Sequence, residues 1–452
     1  MAALSVVGME EEGQQRWTAD QVLALAPDDS SRKAGAGLAA PASWSGTGTA
    51  GPAVWGLCAG SGRNPYRTVI DTAGPGYKCS CPSRKFPCKH ALGLLLLWSG
   101  GAVGSAAPPE PHSRPDWVAE WLDARRTRER EAQDRPATGA VADPAAARQR
   151  AERRAQRVAA GAAELDQRLA DLLRGGLAGA EREGYQRWDE VAARMVDAQA
   201  PGLASRVREL GGVVGAGGDW PSTLLEEASL LHLLTQGYAR QDRLPAPLAA
   251  TVRTRIGFPS APGTSSVRDR WLVLAQHDSS DDRLTTRRIW LHGEATARAA
   301  LLLSFGAAGR APELALPVGL SLDADLAFHP AASPLRATLG TAYGTPAPGP
   351  VPPGTALGPA LASYGDALAH DPWLDAWPVV LSGVVPIPVP TGWQLADTDG
   401  SAALPVIPRA STALWRLASV SGGHPLTVFG ELGHRGFQPL TAWGADAVPV
   451  PL

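Results

Sequence analysis

Cys79-Ser80-Cys81-Pro82-Ser83-Arg84-Lys85-Phe86-Pro87-Cys88-Lys89-His90 holds three of the four cysteines in a chain of 452 residues, so any cysteine chemistry is concentrated here. The spacing is C-x-C, six residues, then C-x-H. In a cytosolic protein thiols stay reduced, so clustered cysteines point to a metal before a disulfide. Zinc takes four tetrahedral thiolate or imidazole ligands, and three cysteines with one histidine are a common structural set. On a strand, residues i and i+2 face the same side, which lets Cys79 and Cys81 share one ion. Pro82 and Pro87 stiffen the loop that brings Cys88 and His90 round. A helix starting there presents N–H groups and a positive dipole end to the thiolates. A lone buried cysteine is usually a small hydrophobe, but packing does not account for four such residues in one lysine-flanked loop. With all four positions filled by protein, the predicted Zn2+ site is closed and structural, with no place for a reactive water.

The flanking sequence predicts the scaffold. Val54-Trp55-Gly56-Leu57-Cys58 and Tyr66-Arg67-Thr68-Val69-Ile70 are apolar and β-branched, and Ser61-Gly62-Arg63-Asn64-Pro65 between them is a turn, so together they read as a β-hairpin. A second turn at Ala73-Gly74-Pro75-Gly76 delivers Tyr77 to Cys81. A helix from about Cys88 to Trp98 follows and is stopped by Gly100-Gly101. The expectation is a ββα zinc-finger module, led into by the Gly/Ser/Thr-rich stretch Ser45 to Gly51.

This C-x-C…C-x-H pattern on a hairpin and helix resembles the SWIM zinc finger, over about residues 50–100. The resemblance implies zinc on Cys79, Cys81, Cys88 and His90, and a role in binding DNA or other proteins. The tract Cys79 to Trp98 is especially similar to bacterial SWIM proteins, some of them encoded near MoxR-type AAA ATPases and von Willebrand A-domain proteins. That neighbourhood implies a protein-interaction adaptor as the alternative function.

Charge adds to the reading. From Ser30 to Pro109 there is one acidic residue, Asp71, against eight basic ones, so this span is strongly positive although the whole chain is net −2. Such a basic module is an electrostatic footprint for nucleic acid, DNA or RNA, or for an acidic protein. Arg63, Arg67, Lys78, Arg84, Lys85 and Lys89 are the expected contacts. Tyr66 and Phe86 would stack on bases if exposed, although both are better suited to a core. Part of the positive charge offsets the anionic zinc centre.

The remainder sets the class. Hydrophobic residues at 44% and charged residues at 19% describe a globular α+β chain of about three domains. The expected order is an N-terminal domain over 1–105, a linker with one short helix at Asp116 to Arg126 over 106–144, a helical domain over 145–260 and a β-rich domain over 266–452. In the last, Trp271 to Ala275 pairs with Arg288 to His292, and Pro346 to Pro353 is a proline-rich spacer. Asp399-Gly400 is a hairpin turn between Trp393-Gln394-Leu395 and Leu404 to Ile407. Trp415 to Ser419 and Leu426 to Gly430 read as two more strands, giving a small barrel or sandwich.

Several functions are excluded. No lysine follows Lys89 and no Walker pattern precedes it, so P-loop, kinase and Schiff-base chemistry have no lysine to use. Gly56-Leu57-Cys58-Ala59-Gly60 imitates a nucleophile elbow, but the turn after it forbids the helix an elbow needs. Asp397-Thr398-Asp399-Gly400 lacks the rest of a calcium loop. The arginines from Arg148 to Arg157 read as a solvated helix face, and the histidines beyond His90 have no ligand spacing. The expectation is therefore a non-enzymatic, cytoplasmic recognition protein. No signal-like segment opens the sequence, and no apolar run approaches the roughly 20 residues of a membrane span.

Overall fold

The computed structural model describes residues 16–452 apart from 27–28, 61–63, 74–75, 84, 104–113, 135–142, 215–218, 281–283, 308–311 and 313. Two short helices come first, α1 (Ala19–Ala24) and α2 (Asp29–Ala36). Thr18 opens α1 with a reciprocal cap, its hydroxyl accepting from the Gln21 N–H while the Gln21 side chain accepts from the Thr18 N–H. A four-stranded antiparallel meander follows in sequence order: β1 (Trp44–Ala50), β2 (Ala53–Cys58), β3 (Tyr66–Asp71) and β4 (Gly76–Cys79). The anticipated hairpin is β2 and β3, in register from Ala53 opposite Asp71 to Cys58 opposite Tyr66.

The Gly/Ser/Thr-rich lead-in, to which the sequence assigns no element, forms strand β1 as far as Ala50. Buried Trp44 anchors it. Gly48 lets it pass over β2, since a Cβ there would overlap the Trp55 indole.

Period-two alternation gives this sheet two different faces. Val54, Ile70 and Tyr77 point to one side, where α3 (Lys89–Ser99) buries Leu92, Leu94 and Leu95 among them. Trp17 and Trp98 close that core edge to face, with centroids 5.8 Å apart. Ala53, Trp55 and Val69 point the other way and meet Val118, Trp121 and Leu122 of α4 (Asp116–Asp134). The short helix expected at Asp116 to Arg126 is thus longer and packs as a third layer on the sheet. Its apolar stripe at Val118, Trp121 and Leu122 supplies the reason.

The middle of the chain is helical: α5 (Pro144–Gly175), α6 (Ala178–Asp197), α7 (Pro201–Val213), α8 (Trp220–Ala239) and α9 (Ala246–Ile256). Asp143 caps α5 by accepting from the Ala145 and Ala146 N–H groups, and Pro144 suits the first turn. Val158, Leu165 and Leu169 of α5 share a core with Trp188, Met195, Leu203, Val207, Leu224 and Leu231.

Two β units follow. Strands β5 (Ser266–Ser280), β6 (Leu284–Gly293), β7 (Ala299–Ala307), β8 (Leu320–Phe328) and β9 (Arg336–Pro348) close into a barrel in the order β5-β6-β7-β9-β8. Trp271, Ile289, Leu302 and Leu326 are among the side chains that fill it. Helix α10 (Leu357–His370) leads to β10 (Trp377–Val389), β11 (Gly392–Asp397) and β12 (Ala403–Val406), then α11 (Ser411–Ser421). The chain ends with β13 (Leu426–Gly433), β14 (Gly436–Trp443) and β15 (Pro449–Pro451). These six strands form one sheet in the order β12-β11-β10-β13-β14-β15.

Trp415 to Ser419, expected as a strand, lies inside α11. Ala413, Leu417 and Ser421 fall four apart and are buried, while Trp415 is 70% exposed, so the helical period outweighs the β preference of the aromatic ring. The Asp399-Gly400 turn joins β11 to β12 as expected, with Leu395 opposite Leu404 and Gly400 at φ +70°.

The units interlock through apolar contacts. Leu272 and Trp290 of the barrel pack with Phe429 and Trp443 of the sheet. Ala315 and Leu320 join the core beneath α3. Trp373, between α10 and β10, enters the helical core and donates from Nε1 to the Leu230 carbonyl at 2.9 Å. Asp371, beside it, accepts from Arg255 of α9 at 3.0 Å.

Candidate metal centre and basic surface

Cys79, Cys81, Cys88 and His90 come together as the spacing requires, with one ligand atom from each lying within 4.8 Å of all the others. Strand β4 delivers Cys79 on the α3 side of the sheet, and the chain turns immediately to set Cys81 beside it. The loop returns through a cis Phe86–Pro87 bond. Cys88 then occupies the N-cap of α3, and His90 lies in its first turn. Phe86 packs edge to face on Tyr77, with centroids 5.4 Å apart, which ties the loop to β4.

Other residues fix the ligands. Thr68 stands opposite Cys79 in the β3–β4 register, and its hydroxyl donates to the Cys79 sulfur at 3.3 Å. The His90 ring lies 4.8 Å from the Tyr66 ring, and its Nδ1 is 3.7 Å from the Cys79 sulfur. His90 is 5% exposed, so solvent does not compete for the imidazole. Sequence reading passed over Thr68 and assigned Tyr66 only to stacking or core; their positions opposite Cys79 and Cys58 in a paired hairpin were the available signal.

The thiols are electrostatically unequal. Hydrogen bonding from Cys88, His90 and Thr68 draws Cys79 well below the ordinary thiol range, against burial that opposes it. Cys88 is pushed far up by its hydrogen bond to Cys79, by burial and by the Cys79 charge. Burial also raises Cys81. One thiolate thus forms readily and its neighbours resist ionising beside it, so a divalent cation is what this donor set needs to carry three thiolates. The donors, their count and their enclosure fit one structural zinc ion held by Cys79, Cys81, Cys88 and His90. Cys58 lies outside the set, buried at the end of β2 with its thiol raised by burial.

The basic residues divide between the two sides of the sheet. Arg67 and Lys78 are exposed on the α4 side, where the Arg67 guanidinium lies 6.0 Å from the centre of the Trp117 ring and Glu120 is nearby. Lys85 and Lys89 are exposed on the zinc-loop side. There they line a groove of about 530 Å3 with Ser30, Ser83 and Tyr66, and Lys85 donates to the Ser30 hydroxyl at 2.9 Å. Arg63 and Arg84 lie outside the described residues.

A closed Cys3His centre built between a β-hairpin and a helix N-terminus defines a structural zinc finger. Residues 66–98 match the family model of the SWIM zinc finger, and residues 153–256 match that of the SWIM-associated four-helix bundle domain. The chain carries a SWIM zinc finger followed by its associated helical domain. No curated protein and no solved structure matches it.

Proposed function

We propose that the protein is a non-enzymatic recognition factor of the cytoplasm whose zinc-finger module contacts nucleic acid through Lys85 and Lys89, with Arg63, Arg67, Lys78 and Arg84 adding to the field. The observation that carries this reading is the charge around the zinc loop. The one acidic residue of the basic span, Asp71, is engaged by Arg125 of α4 at 3.5 Å. The groove beside Lys85 and Lys89 has no carboxylate among its described lining residues. On the other side Arg67 and Lys78 share their pocket with Glu120, and in this reading the groove is the path of the phosphate backbone. Zinc has a structural part in this reading: it holds the loop that displays both lysines.

Fluorescence anisotropy with short DNA and RNA duplexes and single strands, across a salt series, tests the proposal. The affinity should fall steeply with salt. Lys85→Ala with Lys89→Ala should make the log–log slope shallower by about 0.7–0.9 for each phosphate that the variant no longer neutralises. Absent binding, or binding indifferent to salt, would refute it.

A protein adaptor is the second reading, for a partner such as a MoxR-type ATPase system. Trp415, 70% exposed and packed edge to face against Trp393 at 6.1 Å, favours it as an anchor for a protein surface. A nuclease-treated affinity purification separates the two, since only an adaptor keeps its partner.

A further inference from the structure

A cavity of about 540 Å3 lies where three units meet: α9 of the helical domain, strands β5, β6, β7 and β9 of the barrel, and β13 and β14 of the C-terminal sheet. Its size suits a small organic ligand, and a junction between folded units is a usual place for one. Neither the zinc centre nor the basic groove shares any residue with it.

The charges around it do not balance locally. Arg255 is matched by Asp371 at 3.0 Å and Asp375 at 3.5 Å. Glu431 faces Arg288 at 3.4 Å and also accepts from the Trp290 indole N–H at 2.7 Å. Arg409 donates to a neutral group, the Asp278 carbonyl, at 2.9 Å. Arg336 makes no ion pair among the described residues, and Arg409 makes none either. Two guanidiniums of the lining thus lack an ion-pair partner among the described residues, although Glu431 and Asp278 lie near enough to attract Arg409. Burial first, and then the charges of Arg409 and Arg288, push His277 on the same wall down to about 3. Leu301, Leu335 and Leu374 give the cavity an apolar side.

We propose that this junction cavity binds a small molecule bearing a phosphate monoester, its phosphate drawn to Arg336 and Arg409 and its remaining body laid against Leu301, Leu335 and Leu374. A phosphate monoester carries nearly two negative charges and three strong acceptor oxygens, which two guanidiniums without ion pairs complement. A carboxylate, with a single charge, would neutralise only one of them. Because the lining comes from three units, the bound molecule would also tie those units together.

Isothermal titration of the full-length, zinc-loaded protein with AMP, phenyl phosphate and glucose 6-phosphate tests this, with adenosine as the uncharged control. At least one monoester should bind at a single saturable site, inorganic phosphate should displace it, and adenosine should bind at least tenfold more weakly than AMP if AMP is the ligand. Arg336→Gln should weaken that binding at least tenfold, and so should Arg409→Gln. Lys85→Ala with Lys89→Ala should leave it unchanged, which separates this site from the zinc-finger surface. Arg336→Gln removes no ion pair, so it decides the matter if Arg409→Gln proves unstable. No saturable binding by any of the three esters overturns the proposal. Equal affinity for adenosine and AMP, or full affinity in Arg336→Gln, does so as well.

Discussion

Stripping zinc from Cys79, Cys81, Cys88 and His90 should unfold the sheet and α3 while α5 to α9 stay folded. A structural zinc ion supplies about 10–16 kcal/mol in finger peptides, and the net stability of an ordinary domain is about 5–15 kcal/mol. Losing the ion therefore removes as much free energy as the module can hold in reserve, even with Leu92, Leu94, Leu95 and Trp98 buried beside it. The helical core has no residue in common with that cluster, so it should not follow. Hydrogen exchange read by mass spectrometry, with and without a strong chelator, gives the answer segment by segment. Peptides covering 53–58, 66–71 and 89–99 should lose protection, and those covering 158–172 and 224–238 should keep it. Cys79→Ser should reproduce the pattern without chelator. If metal analysis shows no zinc and the sheet and α3 remain protected, the ion is not what holds the module together.

Thr68→Val should lower zinc affinity about 10–100-fold in a competition titration with a chromogenic chelator, the usual effect of losing a group that orients a ligand, while leaving the fold intact. Trp373→Ala should destabilise the helical domain by about 3–5 kcal/mol, seen as a fall in the midpoint of denaturant unfolding, because a 4% exposed indole and its bond to Leu230 disappear together. His277 is held at about 3 in the folded protein against an ordinary 6.5, so the unfolded chain binds the extra proton between those values. Stability should accordingly decline as pH falls from about 6.5 toward about 3, and His277→Asn should flatten that part of a stability–pH curve.

The zinc centre was legible because its chemistry is local. Four ligands within twelve residues, bounded by a turn and a helix start, require no knowledge of distant contacts. Strand β1 was not, since Ser45 to Ala50 has turn-like composition and becomes a strand only by pairing with β2, with Trp44 buried at its start. Helix α11 misled for the opposite reason: Trp415 and Leu417 suggest a strand until one sees which of them is buried. The packing of α4 on the sheet depends on Trp55 and Val69 needing cover, which becomes apparent only when β2 and β3 are seen to expose them on one face. The junction cavity was wholly beyond reach, because its lining residues, Arg336 and Arg409 among them, lie far apart in the chain and come to one cavity only through the tertiary fold.

Opposing Thr68 to Cys79 in the β3–β4 register also makes the ion an inspector of strand pairing. Strand β4 has only four residues and lies at the sheet edge, so its own pairing selects its alignment weakly. A slip of one residue would turn Cys79 to the α4 side, away from His90, and put Lys78 in its place. Zinc would then find at most a partial ligand set. Only the correct alignment assembles the full ligand set, so the free energy of metal binding favours the right pairing over a slipped one.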